Sequence, residues 1–149
     1  MKYGIIADTH NRLLKSLFRA LDGVAEVWHA GDFCRAPVLD KIELIAPVVG
    51  VHGNCDEKTL MQQLPAELWI EREGISVLIV HGHTVSPMEA AKQRPVDLVV
   101  FGHIHAPYDV TRDGVRYFNP GTAGGLRHTP SAGILTIEDG HFQLEHVEL

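Results

Sequence analysis

The sequence predicts an α/β fold of two packed β-sheets with helices on the outside, in one domain over residues 1–149. Three observations lead there. Apolar runs alternate with amphipathic stretches through the first half, tight-turn signals at Gly74, Asp113-Gly114 and Asp139-Gly140 punctuate the second, and clusters of Asp, Asn and His follow directly on apolar runs.

Residues 3–7 form a short apolar run suited to a buried strand. Residues 11–21 place Leu13, Leu14, Leu17, Phe18 and Leu21 at helical spacing, with Asn11 as the expected N-cap. Residues 26–30 read as a second strand, 37–45 as a helix with Pro37 in its first turn, and 47–51 as a third strand. With right-handed crossovers, this βαβαβ order favours a parallel sheet whose strands release their carboxyl ends at one edge, where ligands usually bind. Residues 68–73 and 75–81 read as a hairpin turning at Gly74, 87–93 as a short helix and 98–101 as a buried strand. Runs 108–111 and 115–119 flank Asp113-Gly114, and runs 133–137 and 142–147 flank Asp139-Gly140, so the C-terminal portion is expected to be an antiparallel meander.

Composition narrows the function classes. A length of 149 residues suffices to bury about two thirds of the unfolded chain's surface. The longest apolar runs fall far short of the roughly 20 residues needed to cross a bilayer, and Met1 to Ile6 leads straight into the first motif, so neither membrane span nor signal peptide is expected. Only two cysteines, Cys34 and Cys55, argue against a disulfide framework and for the cytoplasm. A formal net charge of −6 with scattered basic residues argues against long nucleic acid, although Arg112, Arg116 and Arg127 are candidates to assist a small anionic substrate.

Five motifs carry the chemistry: Asp8-Thr9-His10, Gly31-Asp32, Gly53-Asn54-Cys55-Asp56, His81-Gly82-His83 and Gly102-His103-Ile104-His105. Asp8 and His10 are two apart at a strand end, so on an extended chain both side chains face the same way. Asp32 follows a glycine that permits close approach, and its two oxygens suit a bridging role. Asn54 offers a neutral amide oxygen suited to hard cations. His81, His103 and His105 end apolar runs, where packing gives an imidazole no purpose. Each motif alone also reads as a turn or cap; together they supply seven donors of the kind a two-metal site needs, where ions roughly 3.5–4 Å apart neutralise a phosphoryl transition state. His83 reads as an outer or substrate-contacting histidine, and His52 and His128 as the other histidines nearest the site.

This ordered set resembles the calcineurin-like metallophosphoesterase superfamily. The short length, the cysteine in Gly53-Asn54-Cys55-Asp56 and the Phe118-Asn119-Pro120-Gly121 stretch are similar to its small, cap-free YfcE-like phosphodiesterase branch. The resemblance implies a four-layer α/β/β/α sandwich of two mixed sheets. It implies one metal held by Asp8, His10, Asp32 and His105, and a second by Asp32, Asn54, His81 and His103, with Asp32 bridging. It also implies hydrolysis of a small phosphodiester by a hydroxide shared between the two ions. Mn²⁺ suits the mixed N/O donor set, with Fe, Zn, Ni or Mg as alternatives.

Many superfamily members carry, at the position of Cys55, a histidine that protonates the leaving group and is oriented by the residue matching Asp56. Here Cys55 and Asp56 occupy the catalytic positions, and a thiol replaces the imidazole acid. The loop 119–127 resembles the stretch beside the metals, with Arg127 a candidate phosphate contact alongside His83. Phosphomonoester hydrolysis, a protein-binding scaffold like the retromer subunit of this fold, and metal storage stay open as alternatives, as does a homo-oligomer.

Overall fold

Side-chain alternation assigns the layers. The computed structural model describes all 149 residues. In chain order the elements are β1 (Lys2–Ile6), α1 (Lys15–Ala20), β2 (Glu26–His29), α2 (Ala36–Ile42), β3 (Val48–Gly50), α3 (Lys58–Gln63), β4 (Glu67–Arg72), β5 (Ile75–Val80), α4 (Pro87–Ala90, continuing as a 3₁₀ turn Ala91–Gln93), β6 (Leu98–Phe101), β7 (Pro107–Arg112), β8 (Val115–Pro120), β9 (Ser131–Glu138) and β10 (His141–Glu148). One sheet has the order β10-β9-β1-β2-β3 and the other β4-β5-β6-β8-β7.

Tyr3, Ile5, Trp28, Leu135 and Ile137 of the first sheet meet Ile75, Val77, Ile79, Leu98, Val100 and Phe118 of the second in a buried cluster. The intervening residues face outward. Ile6, Val27 and Ile134 pack under Leu17 and Leu21 of α1, Val38, Leu39 and Ile42 of α2 and Leu60 of α3. Leu78, Val80, Val99, Phe101 and Tyr117 are covered by Ala90 of α4 and by Val96. The result is the four-layer α/β/β/α arrangement of two mixed sheets. No helix is long and apolar enough to cross a membrane.

β1, β2 and β3 run parallel, as do β5, β6 and β8, so six strands discharge at one edge. The three turn signals form hairpins: Glu73-Gly74, Asp113-Gly114 and Asp139-Gly140 have positive φ at both central residues, the geometry that matches strand twist. The last two hairpins do not form one meander. β7–β8 joins the second sheet, with β8 parallel to β6, while β9–β10 crosses back to pair β9 antiparallel with β1. Each sheet offers a hairpin two edges, beside β1 or β3 in the first and beside β4 or β6 in the second, and turn chemistry does not say which of them a hairpin joins.

Helix α1 is shorter than its apolar spacing predicts. Asn11 is not its N-cap; Leu14 holds that position without a side-chain bond. Asn11 sits at φ +61° and donates its N–H to the Phe33 carbonyl at 2.9 Å, so residues 11–14 fold back on the Asp32 loop before the helix begins. Helix α2 ends at Ile42 rather than at residue 45, with Pro37 in its first turn as expected. Helix α3, unanticipated, buries only Leu60, too little to show a period.

Candidate metal centre

The expectation that Asp8 and His10 share a face on an extended chain is wrong in its geometry. β1 ends at Ile6, and Asp8 and His10 take left-handed conformations at φ +51° and +44°. Eleven non-glycine residues have positive φ; Glu73, Asp113 and Asp139 sit in hairpin turns, and Asp8, His10, Asn11, Asp32, Cys34, His103, His105 and Arg127 all lie on the loops at the common strand edge. Such conformations persist only where surrounding contacts over-determine them, and they gather at functional sites.

These turns bring the side chains together. Asp8 is fully buried, and its Oδ1 lies 3.3 Å from His105 Nε2, 3.6 Å from His10 Nε2 and 3.9 Å from His81 Nε2. Asp32 Oδ2 lies 3.2 Å from His81 Nε2 and 3.5 Å from His10 Nε2, while its Oδ1 accepts the Cys55 N–H at 2.8 Å. Asn54 Oδ1 is 3.0 Å from His81 Nε2. Asp32 thus stands between an Asp8–His10–His105 group and a His81–Asn54 group. His103 is placed more loosely: its N–H donates to Asp8 Oδ2 at 3.0 Å and its ring centroid lies 5.2 Å from that of His81. His83 flanks the group, 5.3 Å from the His81 ring, and His128 lies 6.5 Å from the His105 ring. Arg127 lines a groove with His103 and His105. Arg116 is committed elsewhere, in a two-bond ion pair with Asp109 at 2.7 and 2.8 Å.

Supporting bonds orient the donors. His81 Nδ1–H donates to the Ala30 carbonyl at 2.7 Å and His105 Nδ1–H to the Leu126 carbonyl at 3.4 Å, which leaves each Nε2 for the cluster. His10 Nδ1 meets the Cys34 sulfur at 3.5 Å. Gly53 is required for close approach, because a Cβ there would lie 2.1 Å from Asp32 Oδ1. Asp56 lies behind the cluster: its carboxylate accepts the N–H groups of Gly53 and Cys34 at 2.7 Å and of Asp32 at 3.1 Å, holding the two loops together. Cys55 is exposed beside Asn54.

The electrostatics require a cation or protons. The Asp8 carboxylate beside it pushes the His10 pKa up, with Asp32 adding to it. Burial opposes charge on His81, but the Asp32 hydrogen bond and the two carboxylates outweigh it, so its pKa also rises. Burial likewise opposes ionisation of Asp32, yet His81, the Cys55 amide and His10 hold its pKa down to about 2. Asp8 Oδ1 remains a buried carboxylate oxygen with no hydrogen-bond partner. Such an atom is costly unless a cation faces it, and three imidazole nitrogens face the same point. The donor set fits divalent metal ions.

Several positioning residues carry no ligand-type signal in the sequence. His29 is wholly buried and neutral, its pKa pushed well down by burial and by His81. Its Nδ1 accepts the Gly31 N–H at 3.1 Å and its Nε2–H meets the Thr9 hydroxyl at 3.1 Å, tying the Asp8 loop to the Asp32 loop. The Thr122 hydroxyl donates to the Asp8 carbonyl at 2.8 Å.

Comparison with known proteins agrees with this geometry. Residues 1–140 match the model of the calcineurin-like phosphoesterase superfamily domain. The chain is 31% identical to phosphodiesterase MJ0936 of Methanocaldococcus jannaschii, over 96% of this chain and 97% of that one. It superposes on the structure of an archaeal phosphodiesterase with a TM-score of 0.84 at 28% identity, covering 99% of this chain and 100% of that one. On a Vps29 mutant of Entamoeba histolytica the TM-score is 0.83 at 24% identity, covering 100% and 99%, a likeness of fold. With family model, full-length relative and donor cluster in accord, the chain belongs to the calcineurin-like phosphoesterase superfamily, in its small phosphodiesterase branch.

Proposed function

We propose that this protein, acting as one domain over residues 1–149, is a two-metal phosphodiesterase that hydrolyses a small phosphodiester. The observation that carries the reading is Asp8 Oδ1, a buried and unpartnered carboxylate oxygen faced by the Nε2 atoms of His10, His81 and His105. Asp8, His10, Asp32 and His105 would hold one ion, and Asp32, Asn54, His81 and His103 the other. When bound, two divalent ions supply a hydroxide nucleophile near neutral pH and offset charge on the phosphoryl oxygens. Mn²⁺ suits this set of imidazole, carboxylate and amide donors, and Fe, Zn, Ni and Mg are the alternatives.

The chain's own residues set the rest. Asp32 keeps one oxygen on the Cys55 amide and turns the other to the imidazoles, so its carboxylate is preorganised rather than recruited. His81 and His105 are held by their carbonyl partners with Nε2 forward. Burial and Asp32 raise the pKa of Cys55, so it stands as a neutral thiol where an imidazolium would otherwise act. Asp56 has no residue there to orient, because its oxygens serve backbone amides. The leaving group therefore departs with little proton assistance, which favours diesters of acidic alcohols such as phenols.

The test strips the protein with chelator, restores Mn²⁺, and compares an aryl phosphodiester with the matching monoester. Diester turnover should return with Mn²⁺ and fall at least about 100-fold in Asp32→Ala, beyond the 10–100-fold typical of losing a supporting partner. Preference for the monoester would make the protein a phosphatase. Bound metal without turnover of either ester would leave the protein-binding scaffold, the alternative that accompanies the Vps29-like fold.

A further inference from the structure

A groove of about 290 Å³ opens beside the cluster, lined by His103, Ile104, His105, Leu126, Arg127 and His128. Two of the candidate donors, His103 and His105, belong to its lining. Its sides include Ile104 and Leu126, large apolar side chains left 49% and 45% exposed. Arg127 and His128 bring cationic and imidazole groups to the same groove. Arg127 is held at φ +63°, a sparsely populated conformation for a residue with a side chain. Leu126 is also tied to the centre, since its carbonyl accepts the His105 Nδ1–H at 3.4 Å.

A phosphodiester brings two ester arms to the reacting phosphorus, one that leaves and one that stays. A monoester has no second arm, and carries another ionised oxygen in its place. Apolar surface beside a strongly polar centre contributes to catalysis only when part of the substrate covers it, and such remote contact improves the positioning of the reacting group. The exposed Ile104 and Leu126 match an apolar arm, and Arg127 matches an anion on that arm by a charge-assisted hydrogen bond.

We infer that this groove receives the ester arm that is not cleaved, and that it selects an arm carrying an aromatic or comparably apolar group with an anionic substituent. The inference rests on the phosphodiesterase reading and names the substrate class for that same site. Ile104 and Leu126 set the preference for an apolar arm, and Arg127 the preference for an anion on it.

The experiment uses the Mn²⁺-restored protein and three p-nitrophenyl diesters that share a leaving group and differ in the arm that stays: methyl, phenyl and 4-carboxyphenyl. Ratios of kcat/KM between arms, each measured on one protein, cancel the fraction of active enzyme and the intrinsic reactivity when variants are compared with wild type. Ile104→Ser and Leu126→Ser should each lower the phenyl-to-methyl ratio about fivefold. Arg127→Ala should lower the carboxyphenyl-to-phenyl ratio by a similar factor and leave the phenyl-to-methyl ratio in place. Wild-type turnover with every ratio unchanged in the variants would overturn this inference alone. Absence of wild-type turnover on all three diesters would overturn the phosphodiesterase reading and this inference with it.

Discussion

At the scale of single residues, the centre depends on groups that never touch a metal or substrate. Asn119 is fully buried at the end of β8 and spends its whole amide on backbone: Nδ2–H donates to the Gly102 carbonyl at 2.9 Å, and Oδ1 accepts the Gly121 N–H at 2.9 Å. It thereby fixes the turn that delivers His103 and His105. Asn119→Ala leaves the buried Gly121 N–H unpartnered and the Gly102 carbonyl with only the Ile104 N–H, and should cost about 1–3 kcal/mol of stability. It should also weaken Mn²⁺ binding about tenfold or more, as loss of a partner behind the ligands does. Urea unfolding and calorimetric titration check both, and unchanged values would reduce the amide to a bystander. The donors themselves were legible because carboxylate, amide and imidazole have few reasons to crowd strand ends. Asn119, Thr122 and His29 were not, since Asn-Pro-Gly also makes a turn and a lone buried histidine also packs a core.

At the scale of elements, the two sheets are linked outside their apolar interface by Glu26 on β2 and Arg72 on β4, whose ion pair closes at 2.9 Å. Burial works against ionisation of Glu26, but hydrogen bonds from Arg72 and Trp28 outweigh it and hold its pKa below the usual glutamate value. A depressed carboxylate pKa contributes stability that is present above the unfolded value, about 4.3, and is lost as pH falls through the folded value. Both side chains are partly exposed, so the pair is worth on the order of 1 kcal/mol or less. Glu26→Gln should therefore be slightly less stable than wild type at pH 7, and denaturant curves for the two should converge below about pH 4. A gap that persists in acid would show that the carboxylate charge is not its source. Strands and hairpins were the legible elements, because period-two apolarity and Asp-Gly turns are local signals. The length of α1 and the existence of α3 were not, because the Asn11 N–H is held by the Phe33 carbonyl and α3 buries one leucine.

At the scale of the whole molecule, six parallel strands aim their carboxyl ends at one edge and two sheets pack around the apolar layer beneath it. That rigid support holds two buried carboxylates and their imidazoles close together, at an electrostatic cost that a cation there would relieve. Ligand binding to the folded state alone adds about 2.7 kcal/mol at one hundred times Kd. For a chain of this size that corresponds to a rise in Tm of about 5–10 °C. Thermal scans with and without Mn²⁺ should show that rise in wild type and none in Asp8→Ala. A wild-type Tm indifferent to Mn²⁺ would mean that the cluster does not hold the ion.

The sequence by itself determined the layered α/β class and the strand-end placement of the carboxylate, amide and imidazole groups of the candidate metal centre, because periodicity, turn chemistry and ligand chemistry are local properties. Tertiary structure alone decided which sheet each hairpin joins, that Asp8 and His10 converge through left-handed turns rather than an extended strand, and that Asp56 braces two loops. Those outcomes depend on contacts between segments far apart in the chain, such as β9 with β1 and Asp56 with Asp32, and no local pattern encodes which distant partner a strand edge or a carboxylate will meet.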